Sequence, residues 1–281
     1  MDQNIHMESQ FENLRGQLAI DCGACCGLCC IALYFAKSEG FPTDKKAGKP
    51  CGQLLNDFRC KIHPQLAEKG LKGCMAYDCF GAGQKVTQSI YGGATWKNMP
   101  PDQAAEMFDV FLRVCRLHQI LWYLIEAISL TPAQKLKNEL KGLIIKIQTT
   151  AGSSPKDICA FDLEEYRSRV NHALKEAGEC VQKEVRGSIE KAQIRKDLCG
   201  RDFGRADLSG ENFFMALMIS SNLSGCRLRG TNFLGADLRD ADLRDADLSE
   251  SIFLTQMQIN EAKGSKHTRL PGWLVRPGHW K

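Results

Sequence analysis

The sequence has no long uninterrupted apolar run. Its most apolar helical stretch, Asp102 to about Leu130, is interrupted by Arg113, Arg116, His118 and Glu126, which excludes a membrane span there. Residues 1–10 are polar and carry no basic, apolar secretory segment, so the chain is expected to be cytoplasmic. No Ser/His/Asp set and no pair of buried carboxylates stands out, and no catalytic residue is expected outside the cysteines. The glycines of Cys79-Phe80-Gly81-Ala82-Gly83-Gln84 follow no strand and precede no Lys-Ser/Thr pair, which favours a turn over a phosphate-binding loop. A formal net charge of +4 is too mild to indicate nucleic acid. Neither a membrane nor a nucleic acid is expected as a partner.

Cysteine, by contrast, is in excess. Nine of the fourteen lie between Cys22 and Cys79. In a reducing compartment such a cluster points to metal rather than to disulfides. Cys22-x2-Cys25-Cys26-x2-Cys29-Cys30 repeats the two-residue spacing that lets a pair of sulfurs share one metal without strain. Cys51, Cys60-Lys61-Ile62-His63, Cys74 and Cys79 follow. The expected ligands are Cys22, Cys25, Cys29, Cys30, Cys51, Cys60, Cys74 and Cys79, with Cys26 and His63 left open. They suffice for two four-coordinate sites or for a cluster beside a mononuclear site, and the metal is zinc or an iron–sulfur cluster.

A second pattern occupies the C-terminal third. One large apolar residue returns at every fifth position: Phe203, Leu208, Phe213, Met218, Leu223, Leu228, Phe233, Leu238, Leu243, Leu248 and Phe253. A step of five turns a helix by roughly 140° and sends alternate strand residues to opposite faces, so neither element carries that period. A chain that turns a corner every five residues does, and four segments close one square coil, with equivalent positions every twenty residues. Two places before each centre stand small residues, such as Ala216, Ser221, Cys226, Thr231, Ala236, Ala241, Ala246 and Ser251; Arg201 and Glu211 break that rule.

Ala206-Asp207-Leu208, Ala236-Asp237-Leu238, Ala241-Asp242-Leu243 and Ala246-Asp247-Leu248 resemble the pentapeptide-repeat family, whose motif is Ala-(Asp/Asn)-(Leu/Phe)-x-x. The resemblance implies a right-handed quadrilateral β-helix. Some members protect DNA gyrase by imitating duplex DNA. Three coils at about 4.8 Å each would imitate only some four base pairs, so this is a minor alternative. The cysteine block, read as Cys22 to Cys30, Cys51-Gly52-Gln53-Leu54, Cys60-Lys61-Ile62-His63 and Cys74, resembles the zinc- or iron-chelating Cys-rich domains of the YkgJ type. Cys-Gly-x-Cys-Cys fits it twice, from Cys22 and from Cys26, and the Arg-Pro usual after the His is missing.

Between these blocks lie helical patterns. Asp102 is expected to cap the first helix, whose stripe runs Met107, Phe111, Val114, Leu117, Leu121, Leu124 and Ile128, with His118 on its polar face. Thr131-Pro132 starts a return helix through Leu136, Leu140, Leu143, Ile144 and Ile147. Asp162 and Glu165 form a capping box for a third helix that reaches the repeats near Arg195 and covers their open first edge, which would account for Arg201 and Glu211. After Phe253 the register breaks into a cap. Ala236 to Glu250 carries six acids against Arg239 and Arg244, whereas no acid follows Glu261, so the tail is expected to fold back on the last coil.

The expected class is therefore α+β, with a Cys-rich, mainly helical metal-binding region followed by a β-helix of about three coils. The expected divisions are 1–99 (Cys-rich), 100–196 (helical), 197–262 (repeats) and 263–281 (tail). The expected function is a metal-binding protein whose repeats form a scaffold for a protein partner. The alternative is an iron–sulfur redox enzyme or electron carrier.

Overall fold

The computed structural model describes residues 13–41, 43–187 and 197–280. The junction near Arg195 lies outside the described residues. The chain forms two compact units: Met1–Cys74, Asp78–Ser129 and Gln134–Ala173 in the first; Met75–Tyr77, Leu130–Ala133 and Leu174–Lys281 in the second.

In the first unit the cysteine block is mostly loop, with short helices α1 (Leu28–Ala32), α2 (Lys72–Ala76) and α3 (Ala82–Gln84), the last running into a π-turn over Lys85–Ile90. Longer helices follow: α4 (Pro101–Leu130), α5 (Gln134–Ala151), α6 (Pro155–Ala160) and α7 (Leu163–Arg186). The apolar stripes of α4 and α5 are buried from Met107 to Ile128 and from Leu136 to Ile147. The Tyr166 hydroxyl donates to the Leu143 carbonyl at 2.6 Å, and the Glu165 N–H bonds the Asp162 carboxylate at 2.9 Å to cap α7. Three expectations are corrected. Asp102 lies inside the first turn of α4, α5 begins at Gln134, and His118 is buried, its Nδ1 2.7 Å from the Phe80 carbonyl. Among the described residues no helix is long and apolar enough to cross a membrane.

The repeats occupy the second unit, and here the expected α+β class with a right-handed quadrilateral β-helix is overturned. Among the described residues there is no β-strand and no sheet; the regular elements are helices. The reason lies in the turns. At eight of the eleven centres the preceding residue is Asp or Asn, and its side chain accepts the N–H two residues on, as Asp207 does from Ser209 and Asp247 from Ser249, both at 3.1 Å. The corner is then completed by a residue in the left-handed region, including Arg205, Met215, Ser220, Asp240 and Asp245. Between corners a single residue is left to pair. The result is isolated parallel bridges to a residue twenty positions on, among them Asp202 to Asn222, Asn222 to Asp242 and Arg227 to Asp247.

The interior is nevertheless apolar. The centres from Phe213 to Phe253 are buried, as are the small residues Ala216 to Ser251 two places before them, while Phe203 and Leu208 are half-buried. Interior hydroxyls bond carbonyls of the preceding turn, Thr231 to Leu208 and Ser251 to Leu228, each at 2.8 Å.

The expected cover of the first edge near Arg195 lies outside the described residues; what is described is the second half of α7. It runs along the stack: Arg186 bonds the Ser209 carbonyl at 2.8 Å and pairs with Glu211 at 2.5 Å, Gln182 bonds the Gly210 carbonyl at 3.1 Å, and Gly178 faces Asn232 and Phe253. Glu211 is thus placed by a partner on α7, and Arg201 lies over the Phe203 ring at 5.3 Å. At the far end α8 (Gln256–Glu261), with a Thr255/Gln258 capping box, turns the chain. Lys263 then bridges to Asp242 and Arg269 to Asp247, so these two tail residues extend the bridges by one further level.

Candidate metal centre

The cysteines of the first unit are positioned by backbone hydrogen bonds. Asp21 caps a 3-10 turn over Cys22–Ala24 by accepting the Gly23 N–H at 2.8 Å. Gly27, at φ +71°, breaks the chain and lets α1 start at Leu28, carrying Cys29 and Cys30. The Cys30 carbonyl takes the Cys51 N–H at 2.9 Å, which brings the next loop alongside α1. From Cys51 the chain makes a tight hairpin: Leu54 bridges to Cys60 and the Lys61 N–H reaches the Gln53 carbonyl at 2.8 Å. Cys74 rides on α2 and Cys79 precedes α3.

Four of the sulfurs are faced by backbone N–H groups a few residues on. Cys25 Sγ accepts from Leu28 and Gly27, Cys60 from Ile62 and His63, Cys79 from Gly83 and Gly81, and Cys51 from Gln53 at 3.5 Å. A neutral thiol is a weak acceptor and a thiolate a strong one, so such donors favour the anion that a metal binds. Burial works the other way. It raises Cys25 to about 11, with the Leu28 and Gly27 N–H groups opposing it. It also raises Cys74 to about 12, reinforced by the neighbouring Cys30, Cys51 and Cys60. Cys29 and Cys30 stand 3.9 Å apart, and the shared hydrogen bond lowers Cys30 and raises Cys29.

Among the described residues, no three His, Cys, Asp or Glu side chains converge closely enough to hold a metal ion as they stand. None of the described cysteines is in a disulfide. Cys26, left open by the sequence, sits in the core, where Thr87 donates to its Sγ at 3.4 Å and Met107 Sδ lies 4.0 Å away. His63 is exposed.

Two residues near the thiols had no signal in the sequence. Lys45, one of several lysines on its loop, is buried; its ammonium donates to the carbonyls of Ile31, Leu33, Lys46 and Lys49 and lies 4.6 Å over the Phe35 ring. Burial lowers its pKa, opposed by the charges of Cys51, Cys30 and Cys29. Gly83 is the other. A methyl group at that position would stand 2.6 Å from Cys25 Sγ and 3.9 Å from Cys79 Sγ, so only glycine lets this backbone pass both sulfurs.

Known proteins match this chain over different lengths. The family model for pentapeptide repeats matches residues 216–253 in eight copies. Nearly the whole chain aligns with Uncharacterized protein YybG of Bacillus subtilis (strain 168), 43% identical over 272 residues, covering 96% of this chain and 97% of that protein. This chain is a pentapeptide-repeat protein of the YybG family. A solved pentapeptide-repeat protein from the Arabidopsis thaliana thylakoid lumen is 27% identical across 34% of this chain and 64% of its own, less than two thirds of it, with a TM-score of 0.17. The YybG likeness includes the cysteine block; the repeat model reaches only the second unit.

Proposed function

We propose that this YybG-family chain is a cytoplasmic metal-binding protein, its Cys22-to-Cys79 block a YkgJ-like chelating module and its repeats a scaffold for a protein partner. The observation that carries the reading is the set of backbone N–H groups aimed at the sulfurs of Cys25, Cys51, Cys60 and Cys79. Of these sulfurs Cys79 is buried and the other three are half-buried; the donors that meet them favour the thiolate, and the charge that balances clustered thiolates is a cation. The donor set fits zinc or an iron–sulfur cluster, both of which accept sulfur-only coordination. Zinc would lend folding energy to a loop-rich region, and a cluster would add electron transfer.

The scaffold part rests on the repeats, whose polar residues stand on the outer walls and pair there. Arg239 bonds Asp237 at 2.6 Å, Arg244 bonds Asp242 at 2.5 Å and Arg229 bonds Glu250 at 2.7 Å. A surface of alternating charge suits a protein partner better than it suits the uniformly negative imitation of a duplex.

Elemental analysis with an absorption spectrum, on full-length protein purified without oxygen, tests the metal reading. Near-stoichiometric iron with sulfide and a brown colour makes the block a cluster site. One or two zinc ions per chain in a colourless protein makes it a structural or sensing module. Protein that holds neither, before and after reconstitution with zinc or with ferrous iron and sulfide, refutes metal binding.

A further inference from the structure

In the first unit a cavity of about 720 Å³ opens between the 3-10 turn Lys37–Glu39, the Cys51–Lys61 hairpin and the turns that lead from His63 to Leu71. Lys37, Lys61 and Lys69 stand on its wall, one from each of these segments, and no Asp or Glu lines it. Glu39 and Glu68, close to these lysines in sequence, are exposed and outside the lining. Among the described residues none of the three ammonium groups has a hydrogen-bond or ion-pair partner, and neither have the side-chain amides of Gln53 and Gln65 beside them. The remaining wall is apolar, formed by Phe41, Ile62, Leu71 and two glycines. Local bonds hold this wall in place. The Phe41 ring stacks on Phe35 at 4.2 Å, and its edge fills the space where a Cβ on Gly73 would stand. The Lys37 N–H bonds the Asp44 carboxylate at 2.7 Å, the Lys61 N–H the Gln53 carbonyl at 2.8 Å and the Lys69 N–H the Gln65 carbonyl at 3.0 Å.

We propose that this cavity binds a small organic dianion, with a phosphate-monoester or dicarboxylate head among Lys37, Lys61 and Lys69 and an apolar body against Phe41, Ile62 and Leu71. Three like charges with no carboxylate on their wall repel one another, and an anion placed among them converts that repulsion into attraction. Lysine suits such a head, because its ammonium is a point charge with three donors on a flexible stem that follows the ligand. Size and lining supply the rest of the ligand. Pockets for small molecules hold about 300–1,000 Å³ and are mostly apolar with a few polar groups that fix orientation. An inorganic ion would leave the aromatic and aliphatic wall uncovered, whereas a ring or chain attached to the head fills it and leaves the amides of Gln53 and Gln65 to orient it. The site is separate from the metal reading, since none of these residues is among the expected ligands.

Isothermal titration calorimetry on the full-length protein as purified tests the site, with phenyl phosphate, phthalate, inorganic phosphate and phenol as probes. Phenyl phosphate or phthalate is expected to bind at one site per chain, inorganic phosphate about tenfold more weakly and phenol without measurable heat. Tighter binding of phenyl phosphate identifies a phosphate ester and tighter binding of phthalate a dicarboxylate; both support the proposal. The Lys37→Gln/Lys61→Gln/Lys69→Gln variant, whose changes are all on exposed side chains, should lose about tenfold or more in affinity. A control that removes the same charge elsewhere, Lys46→Gln/Lys49→Gln/Lys156→Gln, should bind as the wild type does. Equal weakening in both triple variants would reduce the effect to net charge and overturn the proposal. So would wild-type affinity in the first variant, which would put the anion elsewhere, a metal bound at the cysteines included, or the absence of binding for every probe at millimolar concentration.

Discussion

At the scale of single residues, three positions carry sharp expectations. His118 is buried with Nδ1 on the Phe80 carbonyl, and burial, partly opposed by that bond and assisted by the charge of Lys85, lowers its pKa from 6.5 to about 4. A base whose folded pKa lies below its unfolded value binds fewer protons when folded. Stability therefore falls as pH drops from about 6.5 towards 4, by about 3 kcal/mol in total. Denaturant unfolding measured from pH 7.5 down to 4.5 should show that slope, and His118→Gln should flatten it. Ser221 is buried in the repeat interior and its hydroxyl has no hydrogen-bond partner, unlike Thr231 and Ser251. Ser221→Ala should raise stability by about 1 kcal/mol, because it removes a desolvated hydroxyl and leaves little space. Gly83→Ala places a methyl group against Cys25 Sγ, and its expected effect is on metal content. It should lower the metal content measured by elemental analysis relative to the wild type.

At the scale of elements, the ends of the repeat stack depend on side chains rather than on more repeats. Gln258, set by its capping box with Thr255, donates to the carbonyls of Phe233 and Ala236, both at 2.9 Å. Gln258→Met keeps the volume but leaves two buried carbonyls without that donor. It should cost about 2–4 kcal/mol in denaturant unfolding, and a loss under 1 kcal/mol would show the carbonyls to be satisfied otherwise. The period of five named the interior residues from Phe213 to Phe253 correctly, because a buried side chain at every turn leaves a direct mark on the sequence. It did not reveal that each segment is too short to be a strand, since that follows from Asx turns and left-handed corners at positions open to many residue types. The stripe of α7 was legible as well, from Leu163 to Val181. What it packs on was not. Amphipathicity says that a face is covered, and the contacts of Gln182 and Arg186 with Ser209 to Glu211 are set by tertiary register.

At the scale of the whole molecule, the sequence separates a cysteine block from a repeat block, and the structure has two compact units with their own buried cores. The metal reading assigns all eight ligands to the first. Cys29→Ser with Cys30→Ser removes two adjacent thiols of the block, so it should lose metal and destabilise the first unit, because binding energy there is folding energy. Limited proteolysis with mass spectrometry should then show cleavage spreading through residues 13–74 while 197–280 stays protected. Cleavage of both regions at the same rate would show that the repeats do not hold their fold independently. How the eight thiols are grouped could not be read from spacing alone. Grouping depends on the path of the chain between Cys30 and Cys51, and that path is fixed by a lysine caged among carbonyls, which no spacing rule anticipates.

The bridges that join residues twenty positions apart restrict how this protein can change in length. One residue added between corners would move every later apolar centre off the interior, and the bonds that tie Thr231 to Leu208 and Ser251 to Leu228 would lose their partners together. Five added residues would restore the inward centre but advance each wall by one side, sliding Gly210 and Gly230 out from under α7. Only twenty, a full circuit, returns every pairing and every contact with the helix to its place. The repeat region is thus built to lengthen or shorten by whole circuits, and the pairing of Glu211 with Arg186 fixes where α7 must begin again on any longer stack.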